Sequence, residues 1–251
     1  MIWLVLAGTA GGILTGLTGA NGVGVLMSVL LLGGNDPRAA VALTLVAQLF
    51  TMSAALVPIL RVARPSLASW LWLAVPAMGG AWAGARGSHA IPEDWIRGLL
   101  IVGLVVVGGM LLRSKPRKEP EEPAKAARSS RGALGLPLLG GLSGLLAGLV
   151  GGGGNIIVTN ALYGGLGVPF RQALGLSMGL GALSAAVGAT TYFLSGDVLA
   201  SQIPWIAAPA LVSAGLTARL SLRVSVPRIR RMQGLYLLAA AALIAVRALA
   251  V

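Results

Sequence analysis

Long apolar segments follow one another along almost the entire chain, and they limit the fold more than any other feature. Their approximate bounds are 2–18, 22–33, 39–60, 67–85, 96–112, 134–150, 155–166, 171–194, 203–218 and 233–250. The longer segments approach the roughly 20 residues that a helix needs to cross a bilayer. Only 10% of the residues are charged, against about a quarter in a soluble domain. The sequence therefore predicts an all-α integral membrane protein.

The polar composition excludes several classes of function. The chain has no cysteine, one histidine and seven acidic residues, so we expect neither a thiolate site nor a metal cluster. It contains no dinucleotide fingerprint, phosphate loop or serine–histidine–aspartate pattern, and we expect neither catalysis nor a cofactor. The net charge of +12 is carried by basic residues between apolar segments. Such residues set membrane orientation, and we do not expect nucleic-acid binding.

A charged, proline-rich stretch divides the chain into two halves. It contains the run KPRKEPEEP from residue 115 to residue 123, and this composition is typical of a solvated linker. We therefore predict a first transmembrane repeat over 1–112, a cytoplasmic linker over 113–132 and a second transmembrane repeat over 133–251.

The two halves also resemble each other in sequence. Segment 12–19 (GILTGLTG) aligns with segment 144–151 (GLLAGLVG) at an offset of 132 residues. Matching residues continue the repeat at an offset of 132 or 133, and they pair Gly22 with Gly154, Pro37 with Pro169, Pro76 with Pro209 and Arg86 with Arg219. Internal repeats of this kind are common in secondary transporters.

The distribution of lysine and arginine predicts how the two repeats are oriented. If the first two apolar segments of each half form a hairpin, fifteen basic residues lie inside and four outside. If those segments count as one crossing, the numbers are ten and nine. The positive-inside rule favours the first arrangement. It predicts inverted repeats, each with a glycine-broken hairpin followed by three transmembrane helices, and both termini outside the cell membrane.

The hairpin tips, 19–24 and 151–155, are rich in glycine and break the helices. In lipid, a broken backbone is tolerated only inside the protein or beside a water-filled cavity. The short helix that follows each break begins with unpaired N–H groups and a partial positive charge. We therefore expect the two tips to meet near the membrane midplane and to bind an anion.

Residues at and near the tips are the predicted binding residues. The predicted substrate-binding set is Asn21, Gly22, Gly24, Thr44, Gln48, Gly152, Gly153, Gly154, Asn155, Thr159 and Ser177. Arg38 and Arg171 occupy matching positions, and they either anchor helix ends or attract the anion. The glycines outside the tips are expected to serve helix packing, and Gly140→Ala is expected to be mild.

At these residues the chain resembles the TauE/SafE family of membrane proteins, the sulfite exporter group. The resemblance depends on Gly16-x-x-Gly19 leading into Asn21-Gly22-x-Gly24, and on Gly144-x-x-x-Gly148 leading into Gly151-Gly152-Gly153-Gly154, each followed by proline and arginine. It covers nearly the whole chain except the linker, although the first copy has Ala20-Asn21 where the second has Gly152-Gly153.

The resemblance implies export of sulfite or a small organosulfonate across the plasma membrane, by alternating access around the midplane site. The expected partners of the protein are then a small anion and the lipid bilayer. The protein either forms a homo-oligomer or acts as a monomer, and the sequence leaves both alternatives open. The alternative is a membrane-embedded structural or assembly subunit without transport activity, for which the helix breaks have no purpose.

Overall fold

The computed structural model describes residues 1–19, 22–63, 67–113 and 130–250, with no description of the side chains of 130–134 and 247–250. Regular structure in these ranges is entirely helical. Asn21 and residues 114–129 of the predicted linker lie outside the described ranges. The predicted all-α class is confirmed.

Within the described ranges, each half contains five α-helices. The first half comprises α1 (Ile2–Thr18), α2 (Val23–Leu32), α3 (Pro37–Val62), α4 (Leu67–Ser88) and α5 (Glu93–Arg113). The second comprises α6 (Ser130–Val150), α7 (Gly154–Asn160), α8 (Phe170–Leu194), α9 (Ile203–Ser221) and α10 (Val226–Ala250). A π-helical turn at Ala161–Gly165 continues α7, and a 3-10 turn at Ala200–Gln202 precedes α9.

Five of the described helical stretches are long and apolar enough to cross a membrane. They are Pro37–Val62, Glu93–Arg113, Phe170–Leu194, Ala200–Ser221 and Val226–Val246. The predicted span at 67–85 corresponds to α4, which is long enough but is not among these five. Large apolar side chains such as Trp72, Val75 and Leu216 point outward, where lipid would cover them.

The first helix of each half packs against the fourth helix of the other half, so α1 lies along α9 and α6 lies along α4. Gly12 and Gly16 face the backbone of α9, while Gly144 and Gly148 face the backbone of α4. A Cβ atom at Gly144 would overlap the carbonyl oxygen of Ala77. Small residues allow such close helix contact in membranes, and the predicted packing role of these glycines is confirmed.

Gly140 does not behave as the sequence predicts. A Cβ atom there would overlap the backbone carbonyl of Leu73 in α4, so Gly140→Ala requires the two helices to shift. The prediction of a mild effect was wrong, because Gly140 lies one turn before Gly144 on the same contact face. The neighbouring Gly141 is different, because the nearest neighbour of a Cβ atom there would be the Pro76 carbonyl oxygen, at 3.8 Å.

Helices α3 and α8 form the centre of the bundle and are the most buried of the five candidate spans. They run antiparallel, because Gly175 faces Ile59 whereas Gly188, farther along α8, faces Leu45 near the start of α3. Helices α5 and α10 pack against each other. The α3–α8 crossing therefore places residues from both halves at the core.

Candidate functional site at the crossing of α3 and α8

Both hairpin tips begin with a glycine that ends a long helix in the left-handed conformation. Gly19 ends α1 with φ 67°, and its N–H donates to the Thr15 carbonyl at 2.8 Å. Gly151 follows α6 with φ 81°, and its N–H donates to the Ala147 carbonyl at 2.9 Å. Glycine adopts this conformation without the steric cost that other residues incur. The sequence repeat thus corresponds to matched backbone geometry.

The returning arm of each hairpin packs closely on the first arm. A Cβ atom at Gly22 would lie 2.7 Å from the Gly11 carbonyl oxygen, and one at Gly154 would overlap the backbone of Ser143. The Gly22 N–H donates to the Thr15 hydroxyl at 3.0 Å. Gly22 and Gly154 therefore have a packing role in the hairpins, and their predicted contact with substrate stays a prediction.

Each tip lies against the third helix of the opposite half. A Cβ atom at Gly19 would meet Leu174 of α8, and one at Gly151 would meet Val41 and Thr44 of α3. Among the described residues, α2 and α7 do not pack extensively on each other. Each tip thus lies on a different helix of the central pair, and the predicted meeting of the two tips near the midplane stays a prediction.

Two predicted binding residues come together around Gly181 of α8. A Cβ atom at Gly181 would lie 3.5 Å from Gln48 Nε2 and 3.6 Å from the Asn155 Cβ atom. Asn155 Nδ2 makes a long contact of 3.8 Å with Met52 Sδ. Gln48 and Gly181 each lie about 16 Å from the first residue of their helix, at a rise of about 1.5 Å per residue. The group is therefore near the middle of the crossing.

Four buried oxygen atoms around this crossing have no hydrogen-bond partner among the described residues. They are Thr44 Oγ1, Gln48 Oε1, Asn155 Oδ1 and Ser184 Oγ. Ser184 lies one turn beyond Gly181 on α8, and none of the four side chains is more than 2% exposed. An unsatisfied buried polar group costs about 1–3 kcal/mol. Such a group in a native protein calls for an explanation, of which a ligand or water is one.

Thr159 and Ser177 form a second polar pair, one turn along α7 from Asn155. Their hydroxyl oxygens are 2.6 Å apart, and the Thr159 hydroxyl also lies 2.9 Å from the Asn155 carbonyl. Both side chains are buried. Unlike the four oxygens at the crossing, these hydroxyls already have protein partners.

Comparison with known proteins identifies the family to which the chain belongs. A family model described as sulfite exporter TauE/SafE matches residues 4–244. The chain belongs to the TauE/SafE family. The match includes both halves and at least part of every helix, so the resemblance predicted from the tips is confirmed. A search of curated proteins gives no match to the chain.

Membership of the TauE/SafE family makes the chain a multi-pass membrane transporter for a small anion, with sulfite and related sulfur anions as the family's implied substrates. Within the described residues, no group of three or more His, Cys, Asp or Glu side chains is positioned to hold a metal ion. The crossing instead presents neutral amides and hydroxyls, and groups of this kind have N–H and O–H donors.

Other predicted binding residues of this TauE/SafE protein lie away from the crossing. A Cβ atom at Gly24 would meet Ala240 of α10. Gly152 and Gly153 line an apolar cavity of about 80 Å³, which is also lined by residues of α5 and α10 such as Leu100 and Leu237. Asn21 is outside the described residues.

The two matched arginines both reach backbone carbonyl groups. Arg38 Nη2 donates to the Ile91 carbonyl at 3.2 Å, and Arg171 Nη2 donates to the Leu222 carbonyl at 2.8 Å. Each acceptor lies just after the fourth helix of a half. This geometry fits the helix-end anchor of the two predicted roles, while attraction of the anion stays a prediction.

Sequence reasoning missed Ser184 and Met52. Ser184 matches Thr51 at the offset of 133 residues, and both are polar residues within apolar helices. Thr51 is buried and donates to the Gln48 carbonyl at 3.2 Å. The match between Ser184 and Thr51 could therefore have identified Ser184 as a candidate from the sequence. No sequence feature pointed to Met52.

Proposed function

We propose that the chain exports sulfite, or a related sulfur oxyanion or organosulfonate, from the cytoplasm across the plasma membrane. The substrate site is formed by Thr44, Gln48, Asn155 and Ser184. The single observation that carries this proposal is the set of four unpartnered buried oxygens at the crossing of α3 and α8, in a protein of the TauE/SafE family.

The chemistry of the four side chains suits an oxyanion. The two hydroxyls rotate to donate, and each amide presents either its N–H or its carbonyl end to the ligand. Rotation of an amide group by about 180° exchanges its two ends, so either end of Gln48 or Asn155 is available to face the substrate. Since α7 is only seven residues long, its dipole is small. The side chains therefore supply most of the recognition.

Inverted repeats provide the alternating access in this proposal, with residues 1–112 as the first repeat and 133–251 as the second. Three packing relations support the inversion. Helices α3 and α8 are equivalent in the repeat and lie antiparallel, whereas α1 runs in the same direction as α9, and α6 in the same direction as α4. A pseudo-twofold axis in the membrane plane relates helices in this way.

Sulfite efflux from proteoliposomes tests the proposed activity. We expect vesicles that contain the purified protein to release internal sulfite faster than protein-free vesicles. Organosulfonates, sulfate and chloride are then compared in the same assay to define the substrate. If folded, reconstituted protein moves no sulfur oxyanion or organosulfonate, the chain is a structural or assembly subunit instead.

Single cysteines test the proposed orientation, because the chain has no native cysteine. We expect Ser129→Cys, in the linker, and Ser225→Cys, in the exposed turn before α10, to resist an impermeant thiol reagent in intact cells. Both should react after permeabilisation. Ser195→Cys, in the exposed turn after α8, should react in intact cells. Labelling of Ser225→Cys but not of Ser129→Cys in intact cells would contradict the inverted arrangement.

A further inference from the structure

Two grooves on the outer surface of the bundle are equivalent in the repeat. One lies between α3 and α9 and has a volume of about 440 Å³. The other lies between α4 and α8 and has a volume of about 480 Å³. Each is bounded by the third helix of one half and the fourth helix of the other.

Among the matched positions of the two grooves, two differences change the charge and the aromatic content. At the offset of 133 residues, Gly215 replaces Trp82 and Arg61 replaces Leu194, while Arg219 matches Arg86. The α3–α9 groove thus loses an aromatic ring and gains a second cation. In the α4–α8 groove, the single guanidinium lies 5.3 Å from the Trp82 ring centroid and already has an aromatic partner.

The two arginines of the α3–α9 groove have no aromatic partner in the part of the chain that the structure describes. Arg61 and Arg219 lie in the last turns of α3 and α9, and both are exposed. Neither forms a hydrogen bond or ion pair with any residue in the described ranges. Two guanidinium groups that line one groove repel each other, and an anion between them would replace that repulsion with two charge-assisted hydrogen bonds.

The remaining wall of the groove is apolar. Val57, Val212 and Leu216 are 55%, 59% and 65% exposed, which in a membrane protein means contact with acyl chains. We propose that the α3–α9 groove binds one anionic phospholipid, with the phosphate held by Arg61 and Arg219 and an acyl chain lying along these three residues. Basic pockets between transmembrane helices bind anionic headgroups by this chemistry.

Native mass spectrometry of the purified protein, titrated with phosphatidylglycerol, tests this site. We expect the double variant Arg61→Gln/Arg219→Gln to bind phosphatidylglycerol about tenfold or more weakly than the wild type, because a charge-assisted hydrogen bond contributes that much. The matched control Arg86→Gln should bind normally. Phosphatidylcholine should bind weakly to all three proteins, and inorganic phosphate should not displace the lipid.

Four results would overturn the lipid site. They are unchanged phosphatidylglycerol binding by the double variant, an equal loss in Arg86→Gln, equal binding of phosphatidylcholine, and full displacement by inorganic phosphate.

A variant with Glu119, Glu121 and Glu122 replaced by Gln should bind lipid normally, and a large gain in affinity would instead assign the groove to the linker. Both arginines are exposed, so folding of the double variant is expected, with a monodisperse gel-filtration profile as its check. The readout is binding, so the result is independent of transport.

Discussion

Replacing Gln48 or Asn155 by leucine should abolish most transport and leave the protein at least as stable as the wild type. Both side chains are buried, and each has an oxygen with no hydrogen-bond partner among the described residues. An apolar side chain of similar size removes a desolvation cost of about 1–3 kcal/mol. A hydrogen bond to a charged substrate contributes about 1.5–3 kcal/mol, so transport should fall about tenfold to a hundredfold.

The measurements are sulfite efflux per reconstituted molecule and the thermal unfolding midpoint in detergent. Gln233→Leu is the matched control. Gln233 is also buried, but its Nε2 donates to the Thr18 carbonyl at 2.8 Å. This control should lower the unfolding midpoint and leave the activity of the folded molecules near normal. If Gln48→Leu behaves like Gln233→Leu, the polar group at the crossing stabilises the fold and does not bind substrate.

A membrane potential is expected to drive sulfite efflux without any coupling ion. Every acidic residue in the described ranges lies at the start of a helix or in a loop: Asp36, Glu93, Asp94 and Asp197. Proton relays in membrane carriers commonly use carboxylates at membrane depth. An interior negative by about 100 mV favours exit of each negative charge by about 2.3 kcal/mol. For the sulfite dianion the driving force doubles, which corresponds to a concentration ratio of more than about a thousandfold.

The test uses proteoliposomes at equal pH on both sides, with the potential set by a potassium gradient and valinomycin. Efflux should accelerate when the interior is negative and slow when the gradient is reversed. Vesicles with valinomycin and equal potassium on both sides provide the control. Efflux that follows an imposed pH gradient and ignores the potential would instead indicate proton coupling, with bisulfite able to carry the proton.

The sequence alone determined the membrane class, the family and the local geometry of the tips. These features depend on composition and on short-range pattern. Apolar segments long enough to cross a bilayer require lipid, and the repeat predicted that Gly19 and Gly151 are equivalent. Both adopt positive φ at the end of the first helix of their half. The spacing of Gly144 and Gly148 likewise predicted a close helix contact, and the contact is present.

Only the tertiary structure decided which side of each helix faces the centre. The sequence did not show that Gly152 and Gly153 line an apolar cavity. It also did not show that Gln48 and Asn155 converge beside Gly181. In water, the inward face of a helix is the apolar one and can be read from periodicity. In lipid, both faces are apolar, because acyl chains are as apolar as leucine. The inward face is then set by helix crossings between the two halves, and these join residues that are far apart in the sequence.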